Sequence, residues 1–271
     1  MENKQNNKLP SWVPDWSTFS YDSTRFDLER ELAKPRFSPA SASVLKYKIS
    51  PDSKTLTLYG RLEQIRERVE IPIPTRDEYR DYLRVISSDD SDFESENDRT
   101  MIIYFTQLRF MYNFMAWMDF VDDNGTLKVY HEEQSAIISC LTGDSPRLGS
   151  IVGLKNTFLV WFELVSQLTD EVNQSLWIEY HELPDDFIDT VMQETTGRQL
   201  LVTETGRFGT VEPSVEPGDL VGQVTGMTEP IVVRKTDEEY HLIGAAAYVN
   251  GTMQGETWPK DESSLIEIDL V

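Results

Sequence analysis

Apolar and polar positions alternate on either side of Pro51-Asp52-Ser53-Lys54, the pattern of two short strands joined by a tight polar turn. It predicts a hairpin with strands over 44–49 and 55–59. Leu62, Ile65 and Val69 follow at spacings of three and four, yet Ile71-Pro-Ile-Pro74 blocks a long helix, so this stretch is either one helical turn or a continued strand. Residues 76–195 carry a helical period. Tyr104, Leu108, Met111, Met115 and Met118 fall on one stripe, and Leu154, Phe158, Trp161, Phe162, Val165 and Leu168 form a second; both read as core. A last helix fits 184–195, with Asp185 and Asp186 at the positive end of its dipole and Gly197 as its stop.

After Gly197 the period changes to 2. Segments 198–203 and 208–211 flank a Thr205-Gly206 turn, and strands are expected over 220–225, 231–234 and 240–249, with Asn250-Gly251 as a hairpin dipeptide. An isolated hairpin is marginal in water and these later strands need covered edges. The expected fold is therefore α+β. A small antiparallel β sheet or barrel, built from the hairpin near 44–59 and the strands after 198, takes a helical region as an insert. The domains read as an extended Trp/Pro arm over 1–42, a discontinuous β domain over 43–75 and 197–271, and a helical region over 76–196. Pro10 and Pro14 keep the arm extended, and Trp12 and Trp16 are expected to be mostly buried anchors that pin it to the body.

Composition narrows the function classes. In 271 residues, 47 acidic and 25 basic side chains give a net charge of −22, a field that repels phosphate backbones and anionic lipid heads. Nucleic acid and membrane are excluded as partners on this ground, leaving a protein partner. The most apolar stretch, 101–121, is interrupted by Gln107, Arg109, Asn113 and Asp119, which a bilayer centre holds only at a cost of several kcal/mol. A polar N-terminus without an apolar run and a lone Cys140 point to a cytoplasmic protein. Without a secretory route, the sequons at Asn124, Asn173 and Asn250 are chance matches. Six of the ten residues from Asp89 to Asp98 are acidic, a solvated loop in which Ser88 and Ser91 have the acidic surroundings of phosphate acceptors; an unmodified loop is the favoured reading.

No catalytic constellation is visible. His131, His181 and His241 lack a cysteine or second histidine at metal-ligand spacing, so neither a metal nor a cofactor is expected. Gly206-Arg-Phe-Gly209 and Gly222-Gln-Val-Thr-Gly226 match neither phosphate-loop nor dinucleotide patterns and read as turns. Asp219, Arg234 and Glu256 stand beside glycines at strand ends, where a guanidinium and carboxylates can fix a turn. The expectation is a buried clamp in which Arg234 is held by Asp219 and Glu256. The enzymatic alternative is a hydrolase-like cleft in which Asp219 and Glu256 orient His241 as general base; a third reading is a barrel that binds a small ligand inside.

A family resemblance is carried by the two ends of the chain. Gly197-Arg-Gln-Leu-Leu-Val-Thr203, Gly206-Arg-Phe-Gly209, Pro217-Gly-Asp219, Gly226, Pro230-Ile-Val-Val-Arg234, Tyr240-His-Leu-Ile-Gly244, Tyr248-Val-Asn-Gly251, Met253 and Gly255-Glu256 resemble the C-terminal region of fungal heterokaryon-incompatibility (HET) domain proteins. Pro10-Ser-Trp-Val-Pro-Asp-Trp16 is similar to the segment those proteins carry after their HET domain. The resemblance singles out Trp12, Asp15, Trp16, Gly218, Asp219, Arg234, Gly244, Tyr248, Gly251, Gly255 and Glu256 as motif residues with structural roles. The family usually has His where this chain has Asn250. The HET domain itself, similar to TIR domains and thought to trigger cell death when incompatible strains fuse, has no counterpart before Leu9, so the chain reads as the accessory half without the effector. The implied function is a non-enzymatic recognition or regulatory module of non-self recognition, acting through protein contacts.

Overall fold

The computed structural model describes residues 10–12, 37–41, 43–69, 77, 81, 84, 133–144, 158, 185–244 and 247–271. Asp15, Trp16, His131, His181, the sequons at Asn124 and Asn173, the acidic run with Ser88 and Ser91, and both helical stripes apart from Phe158 lie outside them. Two units make up the chain: one of Met1–Glu67, Val202–Arg207 and Ser214–Val271, the other of Arg68–Leu201 and Phe208–Pro213.

Strand outweighs helix among the described residues. They contain nine strands of one sheet: β1 (Tyr47–Ile49), β2 (Leu56–Arg68), β3 (Gln199–Thr203), β4 (Phe208–Val211), β5 (Leu220–Val224), β6 (Ile231–Thr236), β7 (Glu239–Gly244), β8 (Tyr248–Val249) and β9 (Ile266–Leu270). Two α-helices are described in full, α1 (Glu133–Thr142) and α2 (Asp185–Thr195), with a short 3-10 helix over Glu262–Ser264. Alternation across the 51–54 turn yields the expected hairpin, with Tyr47 opposite Leu58 and Ile49 opposite Leu56. Its first strand is shorter than expected and its second far longer. Leu62 and Ile65 belong to β2, which settles the open choice in favour of a continued strand.

In the first unit, β2 has neighbours on both edges. Its residues Leu56–Gly60 pair antiparallel with β9, and Gly60–Gln64 pair with β5. Since β5 pairs β6 and β6 pairs β7, the ring β2-β5-β6-β7-β9 closes on itself. One link departs from the all-antiparallel expectation: β7 meets β9 parallel at Tyr240 and Leu270, reinforced by the Val271 N–H donating to the Tyr240 carbonyl at 3.0 Å. A parallel neighbour needs a long return path, and residues 245–265 supply it. Leu58, Val224, Ile231, Val233, Ile268 and Leu270 fill the centre of the ring as one buried cluster. Gly60 is required where β2 crosses β5, because a Cβ there would collide with the Gln223 carbonyl oxygen.

Two sequence expectations are corrected at the C-terminal end. Asn250-Gly251 does not make a hairpin: Gly251 takes positive φ (+72°), but successive turns follow it, and the next strand is β9. The segment 240–249 is two strands rather than one, β7 and β8. In the second unit, α2 begins at Asp185 and stops before Gly197, whose φ is +65°. Its buried Phe187, Val191 and Met192, with Ile137, Ile138 and Leu141 of α1, supply apolar faces at helical spacing. The α+β expectation with a helical insert is thus met only coarsely, by a mainly β architecture with few helices among the described residues.

Candidate functional site

The arm reaches the ring at Pro10–Trp12. Ser11 donates its N–H to the Val271 carbonyl (2.8 Å) and its Oγ accepts the Leu242 N–H (2.9 Å). Trp12 is partly buried against the ring's apolar cluster, and its indole N–H donates to the Lys54 carbonyl at 3.3 Å. An aromatic body in contact with core and a polar tip on backbone is how tryptophan serves as an anchor.

Of the three charged candidates, two meet. Asp219 is 2% exposed, and Arg234 grips it through two bonds, Nε to Oδ1 at 2.7 Å and Nη2 to Oδ2 at 2.9 Å. The Glu216 N–H donates to Asp219 Oδ2 at 2.8 Å. Glu256 is not the second partner. It is exposed and caps its own turn by accepting the Gln254 N–H at 2.8 Å; Glu216 takes its place, 3.2 Å from Arg234 Nη2. The turn after Asn250 that replaces the expected hairpin is what carries Glu256 away. Its hydrogen bonds to Asp219, chiefly, hold the Arg234 guanidinium above its ordinary pKa. His241 lies opposite Arg234 in the β6–β7 register, and among the described residues no hydrogen bond joins Asp219, His241 and Glu256.

Other motif residues lie at joints. Gly218 adopts φ +96° and donates its N–H to the Ile65 carbonyl. Gly244 pairs with Val232 beside a register shift in β6. Tyr248 packs edge-on against Phe37, ring centroids 5.7 Å apart. Gly255 has φ +80°, and a Cβ on it would meet Ser41 Cβ at 2.9 Å. Thr252 of the third sequon is buried and donates its hydroxyl to the Val249 carbonyl, a structural use of that residue.

Sequence reasoning missed two polar clusters. Gln223 in β5 is 4% exposed; its amide donates to the carbonyls of Pro39 and Thr252 (2.9 and 3.0 Å) and accepts the Thr257 hydroxyl (2.8 Å). A Gln in an alternating strand reads as a solvent-facing position, so nothing local signals this. The second cluster is Glu63, which receives Arg207 Nη1 (3.1 Å to Oε2) and the Thr205 hydroxyl. Burial raises the Glu63 pKa, but hydrogen bonds from Thr203 and Thr205 and the Arg207 charge outweigh it, leaving it below its ordinary 4.5. A carboxylate with a depressed folded pKa stabilises above its unfolded value, and the contribution is lost as pH falls through the folded one. Urea unfolding is therefore expected to show wild type losing more stability than Glu63→Gln between about pH 5 and pH 3; parallel curves would remove Glu63 from the acid response.

The surface feature that stands apart is β1. Val44 (78%), Leu45 (47%), Tyr47 (57%) and Ile49 (49%) are the exposed large hydrophobics around it, joined by Ile266 of β9. By register, Tyr47 and Ile49 share a face with Leu58, Ile268, Leu56 and Leu270, so β1 continues the ring's apolar inner face past the point where β5 takes over the edge of β2. The opposite face is a polar ladder. Thr57 donates to Asp269 (2.6 Å), Tyr59 to Glu267 (3.0 Å) and Lys48 to Glu267 (2.9 Å). Hydrogen bonds with Tyr59 and Glu267 hold the Lys48 ammonium above its ordinary pKa, and those from Lys48 and Tyr59 hold Glu267 below its own.

The first unit is thus a barrel-like ring of five strands with a filled interior and one uncovered apolar strand at its side. Residues 167–264 match the family model of the Het-6 beta-barrel domain, a domain of fungal heterokaryon-incompatibility proteins, which bears out the resemblance carried by the C-terminal motifs. Of the ring strands, β5, β6 and β7 lie inside the matched segment, while β2 and β9 lie outside it. No curated protein and no solved structure matches the chain. No helix among the described residues is long and apolar enough to cross a membrane, and no group of His, Cys, Asp and Glu among them is arranged to hold a metal ion.

Proposed function

We propose that this chain is a cytoplasmic, non-enzymatic recognition module of a heterokaryon-incompatibility system and that it acts through a protein contact at β1. One observation carries the reading: apolar side chains of the ring's inner face stand uncovered at Tyr47 and Ile49, and contiguous exposed apolar surface marks interaction sites. The polar clusters support it from the other side. Asp219 and Arg234 are paired, as are Glu63 and Arg207, so their chemistry goes into fastening turns to the ring. The motif residues Gly218, Gly244, Tyr248, Gly251 and Gly255 act the same way, as joints.

Site-specific photocrosslinking tests the reading. With benzoylphenylalanine in place of Tyr47, irradiation in a fungal cell extract is expected to yield one discrete crosslinked protein, absent when the probe replaces Asp269 on the polar face. Equal labelling at the two positions overturns it.

A further inference from the structure

The backbone of β1 offers as much as its side chains. Ser50 donates its N–H to the Thr55 carbonyl at 3.0 Å, and antiparallel pairs alternate between hydrogen-bonded and non-hydrogen-bonded. Residues 50/55 and 48/57 are then the bonded pairs. Lys48 turns its backbone groups toward β2, while Tyr47 and Ile49 turn theirs outward, to an edge on which no strand pairs among the described residues. An open edge with alternating apolar side chains is the template that strand addition uses.

The charges on β1 select the occupant. Lys46 and Lys48 project from the face opposite Tyr47 and Ile49, beside Glu262 and Glu267, and stay 53% and 64% exposed. A second copy fits poorly: antiparallel pairing of β1 with itself about 47/47 or 47/49 sets lysine opposite lysine, and like charges directly opposite are destabilising, while pairing about 49/49 sets Tyr47 opposite Pro51, which has no N–H to give. A strand with carboxylates at those positions gains instead, since each ammonium has donors beyond the one its glutamate takes. At physiological ionic strength screening over about 8 Å discounts the distant net charge, and of the near charges the lysines stand on the edge that a new strand would line, while Glu267 lies two strands away on β9.

We propose that β1 is a strand-addition site for an extended segment of a partner protein that is apolar at alternate positions and carries carboxylates between them. This rests on the recognition reading above and names the partner's chemistry. The probe is a fluorescent eight-residue peptide alternating valine and glutamate, compared with one alternating valine and lysine, with anisotropy as the readout. The glutamate peptide is expected to bind wild type at least about tenfold more tightly, and the preference to reverse in the Lys46→Glu/Lys48→Glu variant. Tyr47→Pro deletes an outward N–H without touching the β1–β2 ladder, as proline is tolerated on an edge strand; it should bind about three- to tenfold more weakly than Tyr47→Ser, which loses the side chain alone. Equal affinity for the two peptides in wild type overturns the proposal, whatever the variants do. A crosslink at position 47 with no peptide binding refutes strand addition and keeps the recognition reading; peptide binding without a crosslink does the reverse.

Discussion

Arg234→Ala is expected to lower the unfolding free energy by about 2–4 kcal/mol. Removing one member of a buried ion pair costs roughly 3–5 kcal/mol because it strands the other charge. Here the stranded group is Asp219, whose side chain is 3% exposed; only the Glu216 N–H would remain on it. The Arg234 side chain is itself 35% exposed, so water screens part of the interaction and the cost falls below the fully buried range. Arg234→Lys should recover part of the loss, because an ammonium keeps the charge but cannot span Oδ1 and Oδ2 as the fork does. Denaturant midpoints of the three proteins check the order. An unchanged midpoint for Arg234→Ala would return the residue to an ordinary surface charge.

The Asp219–Arg234 pair was legible because Asp219 stands in the turn before β5 and Arg234 in the alternating strand β6, where turn chemistry and strand alternation constrain a side chain locally. The hairpin and its membership of the same sheet as the later strands were legible for a related reason: Leu56 and Leu58 need cover on the face that alternation assigns them, and β9 provides it. Ring closure was not legible. It depends on β2 running on through Ile65, and the three- and four-residue spacings of Leu62, Ile65 and Val69 fit a helical turn as well as a bent strand. Gln223 and Glu256 failed in opposite directions. A buried Gln looks polar and outward in sequence, and an exposed Glu beside glycines looks like a turn fastener. Only the long-range path of residues 250–265, which no local pattern encodes, decides between those readings. The uncovered side chains of β1 belong with these cases: alternation marks Tyr47 and Ile49 as core-facing, and it is the handover of the β2 edge from β1 to β5 that leaves them exposed.

Gly226→Ala is expected to cost about 2–5 kcal/mol, against about 1–2 for Gly206→Ala, and the difference locates a joint behind β1. Both glycines have positive φ, +70° and +82°, where a Cβ costs about 1–2 kcal/mol in any surroundings. Nothing lies within 4 Å of a Cβ on Gly206, so that variant carries the backbone cost alone. A Cβ on Gly226 would instead collide with the backbone N and Cα of Leu45, and overpacking adds about 1–3 kcal/mol where backbone must yield. The Gly226 N–H also donates to Ser43 Oγ (3.1 Å), and Thr225 Oγ1 accepts the Lys46 N–H (3.1 Å). Residues 43–46 are thus held against 225–226 on the approach to β1, and the strain of the substituted methyl falls on that segment. Thermal or urea unfolding of the two variants measures the gap. Equal destabilisation would mean that the 43–46 segment gives way without cost, and β1 would then be a loosely held strand rather than a rigid edge.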